Sequence, residues 1–340
     1  MEAALSNLAL VWDGWRRRPG FWAAIWTGIL LAAAALSLTR GAVHVPLGEL
    51  GAALLQPAHP SHAVVWDIRL PRILAAGLTG AALAVAGALL QTVVRNPLAD
   101  SGLLGVNAGA GVAALFGLIF LPAAVAALPF LAFAGGLAAV ALVLAVSWAG
   151  SQTASPLRIV LSGVAVQAIL FAAIGVLTFV FADRAPAFVS FTVGSLNGTG
   201  WREVRMATGP VALGLVLAWT VTRPLDLLLL DDDSAGGVGL AVRRARVGAS
   251  CLAALLAAAA VSVAGLVGFV GLVVPNWIRI ATGPAHRTLI PLSALGGAAL
   301  LVLADLAART LAAPVELPVG AFLAFLGGPY FLVLLWRKLP

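Results

Sequence analysis

Few side chains in this sequence could do chemistry, and most of them sit at the ends of apolar runs. Asp305, in "LADLAART", is the one acid well inside such a run. An acid inside a membrane run is a functional candidate by default, and one role open to it is proton or ion coupling. Arg309 stands four residues on, in the favourable acid-before-base order for a helical pair, so a structural pair is the other role. Arg69 and Arg72 flank Pro71 in "RLPR", at the mouth of a long apolar run. There they either snorkel at a helix end or form a patch that receives an acidic partner. His44, His59, His62 and His286 fall in expected loops; His59 and His62 have the spacing of two metal ligands, but no third ligand is near, so no metal site is expected. Cys251 is the only cysteine, which excludes a disulfide framework and a cysteine-based metal site. No G-x-x-x-x-G-K-[ST] loop occurs, so ATP hydrolysis by the P-loop route is not expected of this chain.

The elements that position these residues are membrane spans. The 340 residues are 62% hydrophobic and 10% charged, with a mean hydropathy of +1.07, where a soluble domain carries about a quarter charged residues. Charge is absent from 19–39, 73–94, 159–182 and 247–278, and from the 57 residues of 101–157. About 20 helical residues cross a bilayer, so 101–157 must fold back, and "LPAAVAALP" (121–129) is the natural turn. Further spans are expected near 206–222, 288–308 and 319–336, for about ten in all. Backbone polar groups in lipid need internal partners; the runs are continuous rather than alternating, so helices are expected, not a barrel. The first run follows Arg16, Arg17 and Arg18 and reads as a retained span rather than a signal peptide.

Basic residues orient the chain. With the N-terminus in the cytoplasm and ten alternating spans, Arg40, Arg69, Arg72, Arg184, Arg202, Arg205 and Arg309 fall outside and the other thirteen of 20 basic residues fall inside. The net charge of +7 therefore reports topology, and no basic soluble domain is present to bind nucleic acid. Gly80, Ala84 and Ala88 form a small-residue stripe that lets helices approach closely. The longest polar inner segment, 223–246, contains Asp231, Asp232, Asp233 and Ser234, good helix-start residues whose acids suit the helix dipole. It is either an ordinary charged loop or a short helix that sits in a groove of a partner protein.

Six stretches in order resemble one family. They are "RLPRILAAGLTGAALAVAGALLQTVVRNPLADSGLLGVNAGAG" (69–111), "LSGVAVQAIL" (161–170), "VGSLNGTGW" (193–201), "VAGLVGFVGLVVPNWIR" (263–279), "LADLAAR" (303–309) and "ELPVGAFLAFLGGPYFLVLL" (316–335). Together they resemble the FecCD family, the permease subunits of binding-protein-dependent ABC importers for iron–siderophores, haem and vitamin B12. The resemblance implies an all-α polytopic fold with ten spans, of the type II ABC importer permease kind, as a single transmembrane domain over 1–340 with a cytoplasmic coupling segment at about 226–246. It implies a bacterial inner-membrane permease with both termini cytoplasmic. The partners it implies are a second permease copy or a sister permease, two cytoplasmic ATPases that carry ATP and Mg, and an extracytoplasmic binding protein. No cofactor is expected on this chain.

The same resemblance assigns roles. Arg69, Arg72 and Arg309 match arginines that dock glutamates of the binding protein, and reversing Arg69 and Arg72 to Glu is expected to weaken docking with the fold intact. Asn96, Pro97 and Leu98, with Ser155, match loops near the cytoplasmic gate. Asp231, Asp232, Asp233, Ser234, Ala235, Gly239 and Leu240 align with the helices that touch the ATPase. The sequence departs from the family pattern at Ser101 (proline in relatives), Asn276 (histidine) and Phe191 (tryptophan), and in "DDDSAGGVG", where Gly236 and Gly237 weaken a helix. The expected function is ATP-driven import of a metal chelate, a ferric siderophore first, with B12 or haem as same-family alternatives. An ion-gradient transporter using Asp305 and a structural membrane subunit are the rivals from other classes.

Overall fold

A computed structural model describes residues 18–41, 44–121, 126–149, 155–183, 186–312 and 315–338. Arg16, Arg17, Arg184 and residues 122–125 of the expected turn lie outside them. The described chain is helical, without strands. Ten helices take the expected spans: α1 (Pro19–Thr39), α3 (Leu70–Val94), α4 (Val106–Phe120), α5 (Leu128–Trp148), α6 (Pro156–Val180), α8 (Trp201–Thr220), α11 (Val242–Ala264), α12 (Val270–Thr282), α13 (His286–Thr310) and α14 (Val319–Lys338). Short helices α2 (Leu50–Leu55), α7 (Pro186–Val193), α9 (Thr222–Leu227) and α10 (Asp232–Gly237) join them. Six of the ten are long and apolar enough to cross a membrane unaided. Of the rest, α12 has 13 residues, roughly 20 Å of helix. It is short because the charge-free run 247–278 breaks at Gly265 and Phe269, both at φ 68.

Helix α3 is the axis of the bundle, with 20 of its 25 residues buried. Its small-residue face sets how close its neighbours come. A Cβ on Gly80 would stand 2.1 Å from the carbonyl oxygen of Gly297 on α13, and one on Gly87 would stand 2.0 Å from that of Gly271 on α12. Ala84 lies on the same contact with α13, so the stripe reads correctly there, while Gly87 extends it to a second partner. Helices α1 and α6 are at the opposite extreme, only 17% buried, with their apolar side chains facing outward.

The sequence places Arg69 and Arg72 at the mouth of the second span. The structure corrects this. Residues Ala63–Arg69 are wound as a π-helix that runs directly into α3, making one rod of 32 residues from Ala63 to Val94. Pro71 has no N–H to give an interior turn, and the looser π winding ahead of it accommodates that loss. The two arginines therefore sit inside a continuous helix rather than at its mouth.

Three backbone segments cross beside α7. The N–H of Leu266 donates to Phe191 O at 3.0 Å, that of Ser195 to Ala264 O at 2.9 Å, and that of Gly320 to Gly194 O at 2.9 Å. A cavity of about 580 Å³ lies next to this crossing, walled by α4, α5, α7 and α11, with Ser190, Ser195, Asn197 and Ser262 among its lining.

Candidate functional sites at the two ends of the bundle

One end of the bundle gathers Arg69 and Arg72, the last turns of α1 and α13, and the segment before α14. Asp305 is 2% exposed and lies between two cations. Arg72 donates to it three times, from Nε to Oδ1 and Oδ2 at 3.0 and 3.1 Å and from NH2 to Oδ1 at 2.9 Å. Arg309, one helical turn along, has its Nε 3.5 Å from Oδ2. The i,i+4 spacing thus describes the weaker contact, and the closer partner comes from 233 residues away. The remaining arm of Arg72 reaches Glu316 Oε2 at 2.9 Å, and Glu316 is the exposed member, at 42%. Arg309 donates to Ser37 O at 2.9 Å, to the Ser37 hydroxyl and to Arg40 O at 3.3 Å. Arg69 donates to Leu38 O at 2.5 Å.

Arg69, Arg72 and Arg309 are therefore brought together, but buried, at 4, 9 and 9% exposure. Reversing Arg72 to Glu would set a third carboxylate against Asp305 and Glu316 in a desolvated site. Like charges there cost several kcal/mol without compensation, so the expectation of an intact fold does not hold for that change. Beside this cluster His62 stacks on Trp66 at 6.1 Å, with its Nδ1 2.8 Å from Ala53 O. His59 Nδ1 accepts from the Ser61 N–H. Both rings of the histidine pair have local structural partners.

The opposite end gathers the last turn of α3, the 96–104 loop, α9, α10 and the starts of α11 and α13. Helix α3 ends on Arg95, a non-glycine residue in the left-handed region at φ 54. Its side chain then reaches two points on the polar segment, Leu228 O at 2.9 Å from Nε and Asp232 Oδ1 at 2.5 Å from NH2. Asp232 also accepts from Arg246 NH2 and NH1 at 2.9 and 3.1 Å, and the Arg246 side chain is 2% exposed. Sequence reasoning gives Asp232 as a helix-start residue and, by the resemblance, a contact of the ATPase; in the structure it bridges two arginines, and first Arg246 and then Arg95 hold its carboxyl below the usual range. Asp231 is the true N-cap, accepting from the Ser234 N–H at 2.9 Å, which lowers its pKa. Asp233 and Ser234 are exposed, Ala235 is buried, and Leu240 donates back to Ala235 O past Gly239 at φ 88.

The loop after α3 is held from three sides. Asn96 Oδ1 accepts from the Leu98 N–H at 2.9 Å. Asn276 donates from Nδ2 to Pro97 O at 2.8 Å and to Leu272 O at 3.0 Å. Gln167 of α6 donates to Gly102 O. Asp100 caps the following turn through the Ser101 N–H at 2.7 Å, and burial pushes its carboxyl up. Ser155 opens α6 without a side-chain cap; the residue of α6 that grips the loop is Gln167. A further connection was not expected from sequence. His286 is the first, fully buried residue of α13 rather than a loop histidine. Its Nδ1 and backbone N–H lie 2.6 and 2.9 Å from Asp226 Oδ1 on α9, and its Nε2 lies 2.7 Å from the Thr92 hydroxyl on α3. No local pattern announces a partner 60 residues away.

Among the described residues, neither end holds a nucleophile paired with a base in an open cleft. The chemistry on offer is charge recognition at one end and a held, multiply tied surface segment at the other. Comparisons with known proteins give the family. The model of the FecCD transport family matches residues 29–337. The chain is 41% identical over 309 residues to the Fe(3+) dicitrate transport system permease protein FecD of Escherichia coli, covering 91% of this chain and 96% of that one. It is 43% identical over 284 residues to the hemin transport system permease protein HmuU of Yersinia pestis, covering 81% and 84%. To the cobalamin import system permease protein BtuC of Halobacterium salinarum it is 39% identical, covering 80% and 73%. A solved ABC transporter of metal-chelate type in an inward-facing conformation superposes with a TM-score of 0.84 at 28% identity, over 94% of this chain and all of that one. This chain belongs to the FecCD transport family: it is a membrane permease, not an enzyme.

Proposed function

We propose that this chain is the membrane-spanning subunit of an ATP-driven importer for a metal chelate, a ferric siderophore before haem or vitamin B12. One observation carries the reading: a family match over 29–337, with relatives named for ferric dicitrate, hemin and cobalamin, all of them metal complexes and two of them iron. The whole chain acts as one transmembrane domain in the inner membrane, with both termini in the cytoplasm. The Arg72 end faces outward and the Asp232 end inward, as the excess of basic residues requires. Two permease chains, identical or sister, pair with two ATPases that bind ATP and Mg and with one extracytoplasmic binding protein.

In this arrangement Arg69, Arg72 and Arg309 receive carboxylates of the binding protein. The half-exposed Glu316 already occupies the arm of Arg72 that such a carboxylate would take. Asn96, Pro97 and Leu98, with Ser155 at the start of α6, stand at the inner gate. The segment Asp231 to Ala235, with Gly239 and Leu240, meets the ATPase. ATP-driven movement of that surface shifts the bundle between two states.

The test is uptake in cells with and without this chain, offering radioiron-loaded citrate and hydroxamate chelates beside labelled haemin and cobalamin. Loss of iron–siderophore uptake alone supports the reading entire. Loss of haemin or cobalamin uptake replaces the cargo. Uptake that survives without an ATPase and collapses with an ionophore overturns the importer in favour of ion-gradient transport.

A further inference from the structure

We propose that Asp232 is the positioning residue through which the cytoplasmic segment drives the gate, acting as a shared anchor for Arg95 and Arg246. This rests on the importer reading above. The argument begins with how little else ties α10 down. Of its residues 232–237 only Ala235 is buried, two are glycine, and six residues are too short to hold a helix by themselves. Among the described residues, its side-chain bonds to other helices run through one carboxylate. Asp232 Oδ1 takes Arg95 NH2 at 2.5 Å and Arg246 NH2 at 2.9 Å, and Oδ2 takes Arg246 NH1 at 3.1 Å.

The two arginines lead to different helices. Arg246 is fixed deep in the first turns of α11, and its carbonyl accepts from the Ser250 hydroxyl at 2.9 Å. Arg95 is the C-cap of α3 and the residue immediately before the Asn96–Pro97 loop. Its positive φ of 54 is costly for a side chain with a Cβ. The backbone closes this helix end, the Arg95 N–H to Thr92 O at 3.2 Å and the Asn96 N–H to Gln91 O at 3.0 Å, and the guanidinium adds two bonds to the polar segment, at Leu228 O and Asp232. Two residues beyond Arg95, Pro97 O is held by Asn276 of α12. A push on α10 is thus delivered through Arg95 to the last turn of α3, and from Pro97 to α12. Charge-assisted bonds of this length are the stiff links in such a chain. Arg95 is the joint at which α3 gives way to the loop, so a shift of the anchor acts at that helix end.

The variant that isolates the link is Arg95→Gln, since it leaves the Asp232–Arg246 pair, and so the buried arginine's partner, in place. The full transporter, with its ATPase and binding protein, is reconstituted in vesicles, and ATP hydrolysis and uptake of radioiron-loaded chelate are measured together. Hydrolysis is expected within about twofold of wild type while chelate moved per ATP falls about tenfold or more, the loss of two charge-assisted hydrogen bonds, to Leu228 O and Asp232. Asp232→Asn should uncouple in the same direction with a lower folded yield, and Asp232→Glu should restore part of the coupling. Wild-type stoichiometry in Arg95→Gln overturns the proposal. So does a parallel fall in hydrolysis and uptake, which would make the bridge an assembly contact. A wild-type complex that shows no ATP-dependent uptake overturns the importer reading itself, a result distinct from either.

Discussion

Replacing Asp305 by asparagine removes one negative charge from a site that holds two buried guanidinium groups. Asp305 accepts three hydrogen bonds from Arg72 and stands 3.5 Å from Arg309. After the change, Arg72 keeps only the exposed Glu316, and Arg309 keeps the carbonyls of Ser37 and Arg40. Removing one partner of a buried pair costs about 3–5 kcal/mol, because an uncompensated charge is left behind. The Asn amide still accepts one bond and the carbonyls still solvate Arg309, which favours the lower half of that range. Equilibrium unfolding of the purified protein in mixed detergent micelles reads the loss directly. The double change Arg72→Met with Asp305→Leu should recover most of it, since both charges then leave together. An Asp305→Asn protein as stable as wild type would refute the reasoning. If that protein also lost uptake, Asp305 would be a coupling acid and not a structural one.

Three further outcomes are expected. Glu316→Gln frees one arm of Arg72 and should raise affinity for the acidic binding-protein partner a few-fold, measured by surface plasmon resonance on the reconstituted permease; weaker binding would refute the competition. Gly87→Val places its Cβ about where Gly271 O stands, 2.0 Å away, and should abolish folded yield by size-exclusion chromatography, whereas Gly77→Ala, with nothing within 4 Å, should leave it unchanged or higher. The Asp232 carboxyl titrates lower in the folded protein than in the unfolded chain. Its stabilisation is therefore complete above about pH 4 and is lost as pH falls through the folded value. Wild type and Asp232→Asn should differ by a constant amount from pH 5 to 8 and converge in stronger acid.

The spans were legible because a charge-free run of sufficient length has only one physical reading. The fold-back near residue 121 and the stripe at Gly80 and Ala84 were legible for the same kind of reason, local composition. What local composition cannot show is winding and distance. The π-turn over Ala63–Arg69 is invisible in a run whose visible edge is its last charge, so two buried arginines read as a helix mouth. The eight residues of α7 are too few to give a periodicity. Asp305 was paired with the arginine four positions on, whereas its main partner is Arg72 on another helix. Asp232 was seen as a capping acid because Arg95 lies 137 positions away, and the Asp226–His286–Thr92 connection has no sequence signature at all.

The span of 233 residues between Arg72 and Asp305 also sets an order of events while the chain is being made. Helix α3 leaves the ribosome early, carrying two arginines and a face of glycine and alanine that ends almost wholly covered. Helices α12 and α13, which cover that face and bring the counter-ion, are among the last to be synthesised. For most of translation, then, Arg72 has not met the carboxylate that neutralises it in the finished fold. A chain truncated before residue 305 would lack that counter-ion and leave Arg72 with a charge its own early helices do not balance.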